Sequence, residues 1–332
     1  MAIVYKGSLC LAPMVRAGSL PTRLLALSHG ADLVWSPEII DKKIHVPDTK
    51  PELVFRTDMQ GREKGKLIFQ VGTSDPELAV QAALKVIEDV DGIDVNSGCP
   101  KPFSVHSGCG AALLRTPDKL VDILTNLVTR VGKPNNKPIS VKIRILETED
   151  ITLSLVSKIL KTGIANLTLD FLKVKEEIGL SEDVGGMFAD QAEINPTIFL
   201  DKPLEWNDVL VKYLEIAKSL DNTIHNTKYM LSRILKGDKR YAAFSSVKSH
   251  EEIDDIMSKF YNPETKEFNT QEAIKYSVEL RQKQKAKKVR KQREDQLKKN
   301  EEERAAKKAK KESATKRSNE DSASNDTKKQ KV

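Results

Sequence analysis

The first 200 residues alternate short apolar runs with segments of helical periodicity, and this alternation constrains the fold more than any other feature. The apolar runs predict strands at Leu9–Pro13, Asp32–Ser36, Leu67–Val71, Gly92–Val95, Ile139–Ile143 and Asn166–Leu169. The periodic segments predict helices at Pro21–Ser28, Pro76–Val90, Pro117–Val131 and Leu153–Lys161. Strands that alternate with helices in this way are typical of βαβ units and a parallel sheet.

Unusual residues follow successive predicted strands at the points where the strands end. The endings read Ala-Pro-Met, Ser-Pro-Glu, Gln-Val-Gly, Asn-Ser-Gly-Cys-Pro and Lys-Ile-Arg. Chemistry in parallel α/β folds gathers at the carboxyl ends of the strands, and in a closed barrel all of these ends face one mouth. We therefore predict an α/β fold of the TIM (β/α)8 type, with a doubly wound sheet as the structural alternative.

The rest of the chain changes character twice. Apolar residues at three- and four-residue spacing predict helices at Pro203–Ser219, Asn226–Leu235 and Glu251–Lys259, and no strand alternation appears there. From Arg281 onward the chain has no aromatic residue, which predicts an exposed charged helix to about Lys311 and disorder beyond it. The predicted domains are a barrel (1–202), a small all-α domain (203–280) and a basic tail (281–332).

The basic excess is concentrated in the tail. Of the 55 Lys/Arg and 48 Asp/Glu residues in the chain, residues 281–332 hold 20 and 9, so the tail carries +11 and the other 280 residues carry −4. A nucleic-acid partner fits this distribution, although charge alone does not identify one. Lys316-Arg317 and Lys328-Lys329-Gln330-Lys331 resemble a bipartite nuclear localisation signal, and a solvated charged tail explains the same residues.

Several classes of protein are disfavoured by composition. No apolar run reaches the about 18 residues that a membrane span needs, and the N-terminus does not read as a secretory signal. Three cysteines, Cys10, Cys99 and Cys109, are too few for a disulfide framework and favour a reducing compartment. We expect a cytoplasmic protein, with import into the nucleus if the tail signal operates.

The most informative stretch is Gly92–Leu114. Its strand ends in Asn96, and a turn then places Cys99 between a glycine and a proline, which predicts a thiol exposed over the barrel mouth. Such a thiol can act as nucleophile, metal ligand or proton donor, or it can be a buried structural cysteine. No cysteine or histidine lies at zinc-ligand spacing, so we predict no metal. Cys10, inside an apolar strand, is best explained as structural, and Cys109 is ambiguous.

Several motifs taken in order resemble the tRNA-dihydrouridine synthases, and most of all the eukaryotic branch that acts on the uridine at position 20. They are LAPMV at 11–15, RLLALSHGADLVWSPEIID at 23–41, FQVG at 69–72, DVNSGCPKPFSVHSGCGAALL at 94–114, VKIRI at 141–145 and NTKYMLSRIL at 226–235. The resemblance covers about 1–169 and 185–260. It implies a barrel that binds FMN, a tRNA substrate, NADPH or NADH as hydride donor, and a monomer.

The resemblance also implies a set of cofactor contacts. Pro13, Met14 and Val15 are similar to the loop under the flavin ring, although a plain strand end explains them too. Glu38 resembles the acid beside the flavin, and a solvated loop acid is the alternative. Gln70 resembles the amide that hydrogen-bonds the flavin ring, against a satisfied polar group at the barrel rim.

Further positions are implied around the substrate. Lys142 resembles the lysine beside the reduced flavin, where a cation favours the negative ring. Asn96 resembles a residue near flavin and uridine, although Asn in a turn often only caps backbone groups. Arg144 is placed against substrate or phosphate. The implied mechanism extrudes the uridine from its stack, delivers a hydride from flavin to C6 and a proton from Cys99 to C5.

One segment departs from the family pattern. The segment Val184–Met187 resembles the eighth strand of the family, and only 15 residues, Asp170–Val184, separate Leu169, the end of the sixth predicted strand, from Gly185. A single βαβ unit needs about 30 residues, so a seventh strand with its crossovers does not fit. The barrel closes with fewer strands, or it is open, or the chain derives from a misassembled or alternatively spliced gene. Because the family holds the FMN phosphate here, and Asp170 stands where it has histidine, we predict weak FMN binding.

Three functional hypotheses follow. The first is an FMN enzyme that reduces tRNA uridine. The second is a tRNA-binding protein that has lost catalysis with the shortened segment, although the retained Cys99 and Lys142 argue against long-standing loss. The third is another flavin barrel, of the dihydroorotate dehydrogenase kind, which the 226–235 motif and the basic tail disfavour.

Overall fold

The computed structural model of the protein describes residues 3–44, 55–170 and 184–329. Its strands are β1 Leu9–Leu11, β2 Leu33–Trp35, β3 Ile39–Ile40, β4 Leu67–Gly72, β5 Gly92–Ser97, β6 Ile139–Arg144, β7 Asn166–Asp170, β8 Gly186–Phe188, β9 Tyr261–Asn262 and β10 Glu267–Phe268. Its helices are α1 Leu20–Leu27, α2 Asp41–Ile44, α3 Pro76–Val86, α4 Pro102–Val105, α5 Pro117–Leu127, α6 Lys133–Asn135, α7 Glu149–Leu160, α8 Asp190–Ile194, α9 Trp206–Ser219, α10 Ile224–Ile234, α11 Tyr241–Phe244, α12 His250–Phe260 and α13 Thr270–Lys329.

A curled sheet of parallel strands organises the N-terminal part, in the order β7-β6-β5-β4-β2-β1-β8, with β3 also paired to β4. All six predicted strands are present, and the α/β class with a parallel sheet is confirmed. Within the described residues β7 and β8 are the two ends of this order and do not pair with each other. The residues that lie between them in sequence, 171–183, are outside the described part.

Local sequence explains where the helices of this part begin. Proline occupies the first turn of α1, α3 and α5, where its missing N–H costs no hydrogen bond. Asp75 caps α3 by accepting from the backbone N–H groups of Glu77 and Leu78, and Thr148 caps α7 by accepting from that of Ile151. α1, α3 and α5 begin within one residue of their predicted starts, whereas α7 begins at Glu149, four residues before the predicted Leu153.

The two faces of the sheet carry different cores. One face, which includes Leu11, Phe69 and Val95, packs against the apolar sides of the surrounding helices. The other holds a small cluster that includes Cys10, Trp35 and Ile68. Full burial of such a side chain contributes about 1.5–3 kcal/mol, so the larger face dominates stability. The second face is the one on which polar residues replace apolar ones toward the strand ends.

The described chain divides into two compact units, 1–241 with 261–268 and 242–260 with 269–332. In the first unit α9 and α10 pack on α1 through a cluster that includes Leu25, Tyr213 and Met230. The short antiparallel pair β9–β10 belongs to the same unit. The expectation of no strands in residues 203–280 was wrong, because two-residue strands are too short to show alternation.

The second unit contains α12 and the long helix α13. Tyr276 of α13 donates a hydrogen bond to Asp255 of α12, and Lys259 lies 2.8 Å from the same carboxylate. The helix continues to Lys329, whereas the sequence predicted helix only to about Lys311. Charged pairs one turn apart, such as Arg290 with Glu294 at 2.9 Å, support an otherwise solvated helix. Among the helices of the described ranges, none is long and apolar enough to cross a membrane.

Candidate active site

Three neighbouring strands place polar side chains in two rows on the small-cluster face of the sheet. The register pairs Gln70 of β4 with Asp94 of β5, and Asp94 with Ser140 of β6. Two residues nearer the strand ends, it pairs Asn96 with Lys142. Residues two apart on a strand point to the same face, so both rows share it. The predicted site residues Gln70, Asn96 and Lys142 are thus brought together.

Asp94 is the buried centre of the lower row. Its side chain is fully buried and accepts hydrogen bonds from Ser140 Oγ at 2.6 Å and from Gln70 Nε2 at 2.8 Å. Burial raises the pKa of this carboxyl to about 6, against the lowering effects of these two bonds and of the Lys142 ammonium. With its nitrogen held by Asp94, Gln70 has its amide oxygen left for a further donor.

The Cys99 turn is built on Asn96. The Asn96 Oδ1 atom accepts from the backbone N–H of Gly98 at 3.0 Å and of Cys99 at 3.1 Å. The carbonyl of Cys99 accepts in turn from the N–H of Ala111 at 2.9 Å. Cys99 is half-buried and follows the end of β5 directly, at the carboxyl edge of the sheet. The backbone of the Cys99 turn is therefore fixed at the carboxyl edge of the sheet.

A second layer supports the same turn. Ser104 of α4 donates to Glu38 Oε1 at 3.1 Å, and burial raises the pKa of the Glu38 carboxyl while bonds from Ser104 and Asn96 lower it. A Cβ on Gly110, whose φ is +59°, would lie 2.4 Å from Ser104 Oγ and 2.6 Å from the Cys99 carbonyl. Only glycine fits at position 110. Glu38, predicted as a cofactor contact, lies against Ser104 and therefore against the residues that shape the thiol turn.

The turn after β1 carries Pro13, Met14 and Val15. The N–H of Gly18 closes it by donating to the Met14 carbonyl at 2.8 Å. Arg23 then holds the Gly18 carbonyl at 2.8 Å. Val15 is 43% exposed, whereas Pro13 and Met14 are half-buried. These residues lie two strands away from Gln70 in the sheet order, at the same edge.

The Arg23 side chain is itself buried and paired. Its Nε lies 2.6 Å from Glu63 Oε1, and the two side chains are 2% and 4% exposed. Another guanidinium nitrogen donates to the Arg56 carbonyl at 2.7 Å. A buried pair with further hydrogen bonds fixes geometry more than it adds stability. It anchors the turn that carries Met14.

Arg144 ends β6 beside the thiol turn. A Cβ on Gly98 would lie 3.2 Å from Arg144 Cγ, so the thiol turn and the Arg144 side chain lie close together. The Arg144 Nε atom is buried and makes no hydrogen bond among the described residues. A buried donor without a partner costs free energy unless a ligand or water satisfies it. Arg144 therefore has an unused donor beside the thiol turn.

The other two cysteines have no such setting. Cys10 is 6% exposed, which confirms the structural interpretation, and burial raises its pKa to about 12. Cys109 is 2% exposed and burial raises its pKa to about 11. Within the described ranges no three His, Cys, Asp or Glu side chains are grouped to hold a metal ion.

Sequence analysis missed Asp94, Ser104 and Ser140. The one signal for Asp94 is its position in a strand between the apolar residues Ile93 and Val95, since a charged residue is rarely buried without partners. Ser104 gave no signal, because its partner Glu38 is 66 residues away in sequence. Such contacts depend on the fold itself.

The chain is similar to known dihydrouridine synthases. The dihydrouridine synthase (Dus) family profile matches residues 10–170. The tRNA-dihydrouridine(20) synthase (NAD(P)+) of Saccharomyces cerevisiae is 45% identical over 324 residues, covering 77% of this chain and 84% of the relative. Its counterpart in Schizosaccharomyces pombe is 38% identical over 317 residues, covering 77% and 65%. A mouse tRNA-dihydrouridine(20a/20b) synthase-like protein is 33% identical over 165 residues, half of each chain.

The two fungal alignments contain more positions than the number of residues that this chain contributes to them. Since 77% of 332 residues is about 256, about 68 of the 324 positions aligned with the S. cerevisiae relative have no counterpart in this chain. The same calculation for the 317 positions of the S. pombe relative gives about 61. With this extent of identity to a relative of which it covers 84%, the chain belongs to the dihydrouridine synthase family.

Proposed function

We propose that this protein is a tRNA-dihydrouridine synthase that reduces the C5–C6 double bond of a uridine in tRNA, at position 20, with FMN and NADPH or NADH. The names of the two fungal relatives support the reaction and the position. The observation that carries the proposal is the Cys99 thiol, half-buried at the strand edge in a turn fixed by Asn96. Gln70 and Lys142 lie on the adjoining strands.

The residues present fit the flavin ring of FMN. The amide oxygen of Gln70, oriented by Asp94, suits an N–H of the ring, and Lys142 suits the charge of the reduced ring. The Pro13–Val15 turn supplies a partly apolar surface at the same edge, and the Arg144 Nε atom supplies an unsatisfied donor for the cofactor or the substrate. A bound FMN would supply hydride transfer between the nicotinamide and C6 of the uridine.

The chain itself supplies the proton and the positioning. Cys99 donates the proton from Sγ to C5, on a turn that Asn96, Glu38 and Ser104 hold in place. The uridine has to leave its stack to reach a thiol at the mouth, because base chemistry inside a folded RNA is blocked by stacking. Arg144, beside Gly98, is placed to contact the substrate near the thiol.

We further infer that the barrel lacks the strand that the family has between the positions of β7 and β8. Two observations support that inference: about 60–70 aligned positions of the fungal relatives have no counterpart in this chain, and only 15 residues, 171–185, separate β7 from β8. The family's phosphate-holding strand end would fall in this part, so FMN binding is expected to be weak. Catalysis then depends on added FMN. The chain is otherwise proposed to act as a monomer in the cytoplasm, with nuclear import directed by its basic tail.

Dihydrouridine mapping tests the proposal. In a strain that lacks its own position-20 enzyme, the intact chain and Cys109→Ala are expected to restore dihydrouridine at position 20, and Cys99→Ala is not. Cys109 is the matched control because it is a second cysteine of the same loop region, buried and outside the proposed chemistry. Equal restoration by Cys99→Ala would remove the proton-donor role. No restoration by the intact chain would favour a protein that binds tRNA without modifying it.

Purified protein gives a second readout. Weak FMN binding predicts that it carries much less than one flavin per chain and gains flavin fluorescence polarisation only when FMN is added in excess. Near-stoichiometric flavin after purification would show that the shortened segment does not weaken the site.

A further inference from the structure

Arg16 has an unusual backbone and an unusual side-chain partner. It follows Val15 in the turn after β1, is exposed, and has a φ of 71°, in the left-handed region that non-glycine residues rarely occupy. Its carbonyl accepts a hydrogen bond from Asn226 Nδ2 of α10 at 2.7 Å. Left-handed backbone at an arginine costs about 1 kcal/mol or more, so surrounding contacts have to maintain it.

The side chain of Arg16 is held against an aromatic ring. Its guanidinium carbon lies 5.7 Å from the centre of the Tyr229 ring, within cation–π range. The Tyr229 hydroxyl donates to Glu193 Oε1 at 2.6 Å, and Arg233 lies 2.6 Å from the other oxygen of that carboxylate. Glu193 is thus engaged by Tyr229 and Arg233, and among the described residues no carboxylate forms an ion pair with Arg16.

The placement defines a cation at the rim of the mouth. Arg16 follows β1, and Cys99 follows β5, which is separated from β1 by β2 and β4 in the sheet order. The turns after parallel strands lie at the same edge, so Arg16 stands across the sheet from the thiol. A nucleotide that enters the mouth with its base toward Cys99 leaves its backbone phosphates at this rim.

We propose that Arg16, supported by Tyr229 and Asn226, is a binding site for a backbone phosphate of the tRNA substrate. The guanidinium offers several N–H donors in a planar fork that matches phosphate oxygens, and its pinned backbone reduces the entropy lost on binding. The site goes beyond the proposed function by adding a substrate contact outside the reacting atoms, and it rests on that function only for the identity of the RNA.

Binding of unmodified tRNA to the full chain without FMN tests the site. The variant is Arg16→Gly, because glycine adopts positive φ without strain and the backbone of the turn is kept. The variant is expected to bind about five- to tenfold more weakly at low salt. A plot of the logarithm of the association constant against the logarithm of the salt concentration is expected to be shallower by about 0.7–0.9, the contribution of one phosphate contact. Differences between variants remove the contribution of the basic tail.

The controls separate the explanations. Arg130→Ala removes another exposed arginine, one that is already paired with Glu77, and is expected to leave affinity and slope unchanged. Tyr229→Ala is expected to give a smaller loss of tRNA affinity, about two- to threefold, because the Arg16 guanidinium remains but loses the aromatic ring against which it packs. Binding of NADPH by Arg16→Gly is expected to be unchanged, and an equal loss for NADPH would assign the guanidinium to a nucleotide phosphate instead.

Two results would overturn the proposal in distinguishable ways. If the intact chain binds tRNA and Arg16→Gly binds it within twofold with the same salt slope, the rim site is wrong while the proposed function stands. If the intact chain binds no tRNA at all, the proposed function and the rim site fail together.

Discussion

Replacing Asp94 by asparagine should change how the stability of the protein depends on pH. In the folded chain this carboxyl is fully buried and its pKa is raised from 3.8 to about 6, chiefly by burial. The polar or charged groups that act on it include Gln70, Ser140, Lys142, Tyr5 and the indole N–H of Trp35. Asparagine has nearly the same shape and can still accept one of the two hydrogen bonds.

The sign follows from proton linkage. Below pH 3.8 the carboxyl is protonated in both the folded and the unfolded chain. Between pH 3.8 and about 6 the unfolded chain releases its proton while the folded chain keeps it, so unfolding becomes more favourable as the pH rises. Above about 6 both forms are ionised and the difference is constant. The contribution of Asp94 is therefore most favourable at low pH and is lost as the pH rises.

The expected size is about 3 kcal/mol, since each pKa unit corresponds to about 1.36 kcal/mol. Urea unfolding at a series of pH values from about 3.5 to 7.5 measures it. The free energy of unfolding of Asp94→Asn, relative to the native chain, should rise by about that amount across the range. Asp118→Asn, which alters a side chain that is 94% exposed, serves as the control for loss of a carboxylate. A difference independent of pH, or one of opposite sign, would refute the reasoning and favour an ionised Asp94 stabilised by Lys142.

Two other substitutions probe the supports of the site. Glu63→Ala leaves Arg23 buried without its partner and should lower the free energy of urea unfolding by about 3–5 kcal/mol. Glu77→Ala, which breaks an exposed pair with Arg130, should change it little. Equal effects would show that the buried pair is not an anchor. Asn96→Ala removes the acceptor for two N–H groups of the thiol turn and should speed alkylation of Cys99 by iodoacetamide several-fold relative to the control Asn126→Ala, which alters a half-buried asparagine of α5. An unchanged rate would mean that Asn96 does not hold the turn.

Periodic burial made most of the fold predictable. Strands such as Leu67–Gly72 and Ile139–Arg144 were recognisable because their apolar residues are buried on the helix-packed face. Helix starts were recognisable because proline and a capping residue mark them locally, as at Asp75 before α3. The β9–β10 pair was missed because it contains only two residues per strand.

The candidate site was predictable only where one strand end carries its own signal. The turn at Asn96–Cys99 is written in consecutive residues, and its hydrogen bonds are local. The bond between Ser104 and Glu38 and the bond between Asn226 and the Arg16 carbonyl join residues 66 and 210 positions apart. Such pairs exist only once the chain has folded, so composition and spacing did not reveal them.

The central claim is that Cys99 protonates a tRNA uridine beside a flavin held by this chain. The most direct measurement is dihydrouridine formation in unmodified tRNA by purified chain with excess FMN and NADPH, mapped by position. We predict dihydrouridine at position 20 with the intact chain and with Cys109→Ala, and a loss of at least tenfold in rate with Cys99→Ala, because a positioned general acid contributes about 10²–10⁴-fold. No dihydrouridine at any FMN concentration, or equal rates with and without the Cys99 thiol, would contradict it.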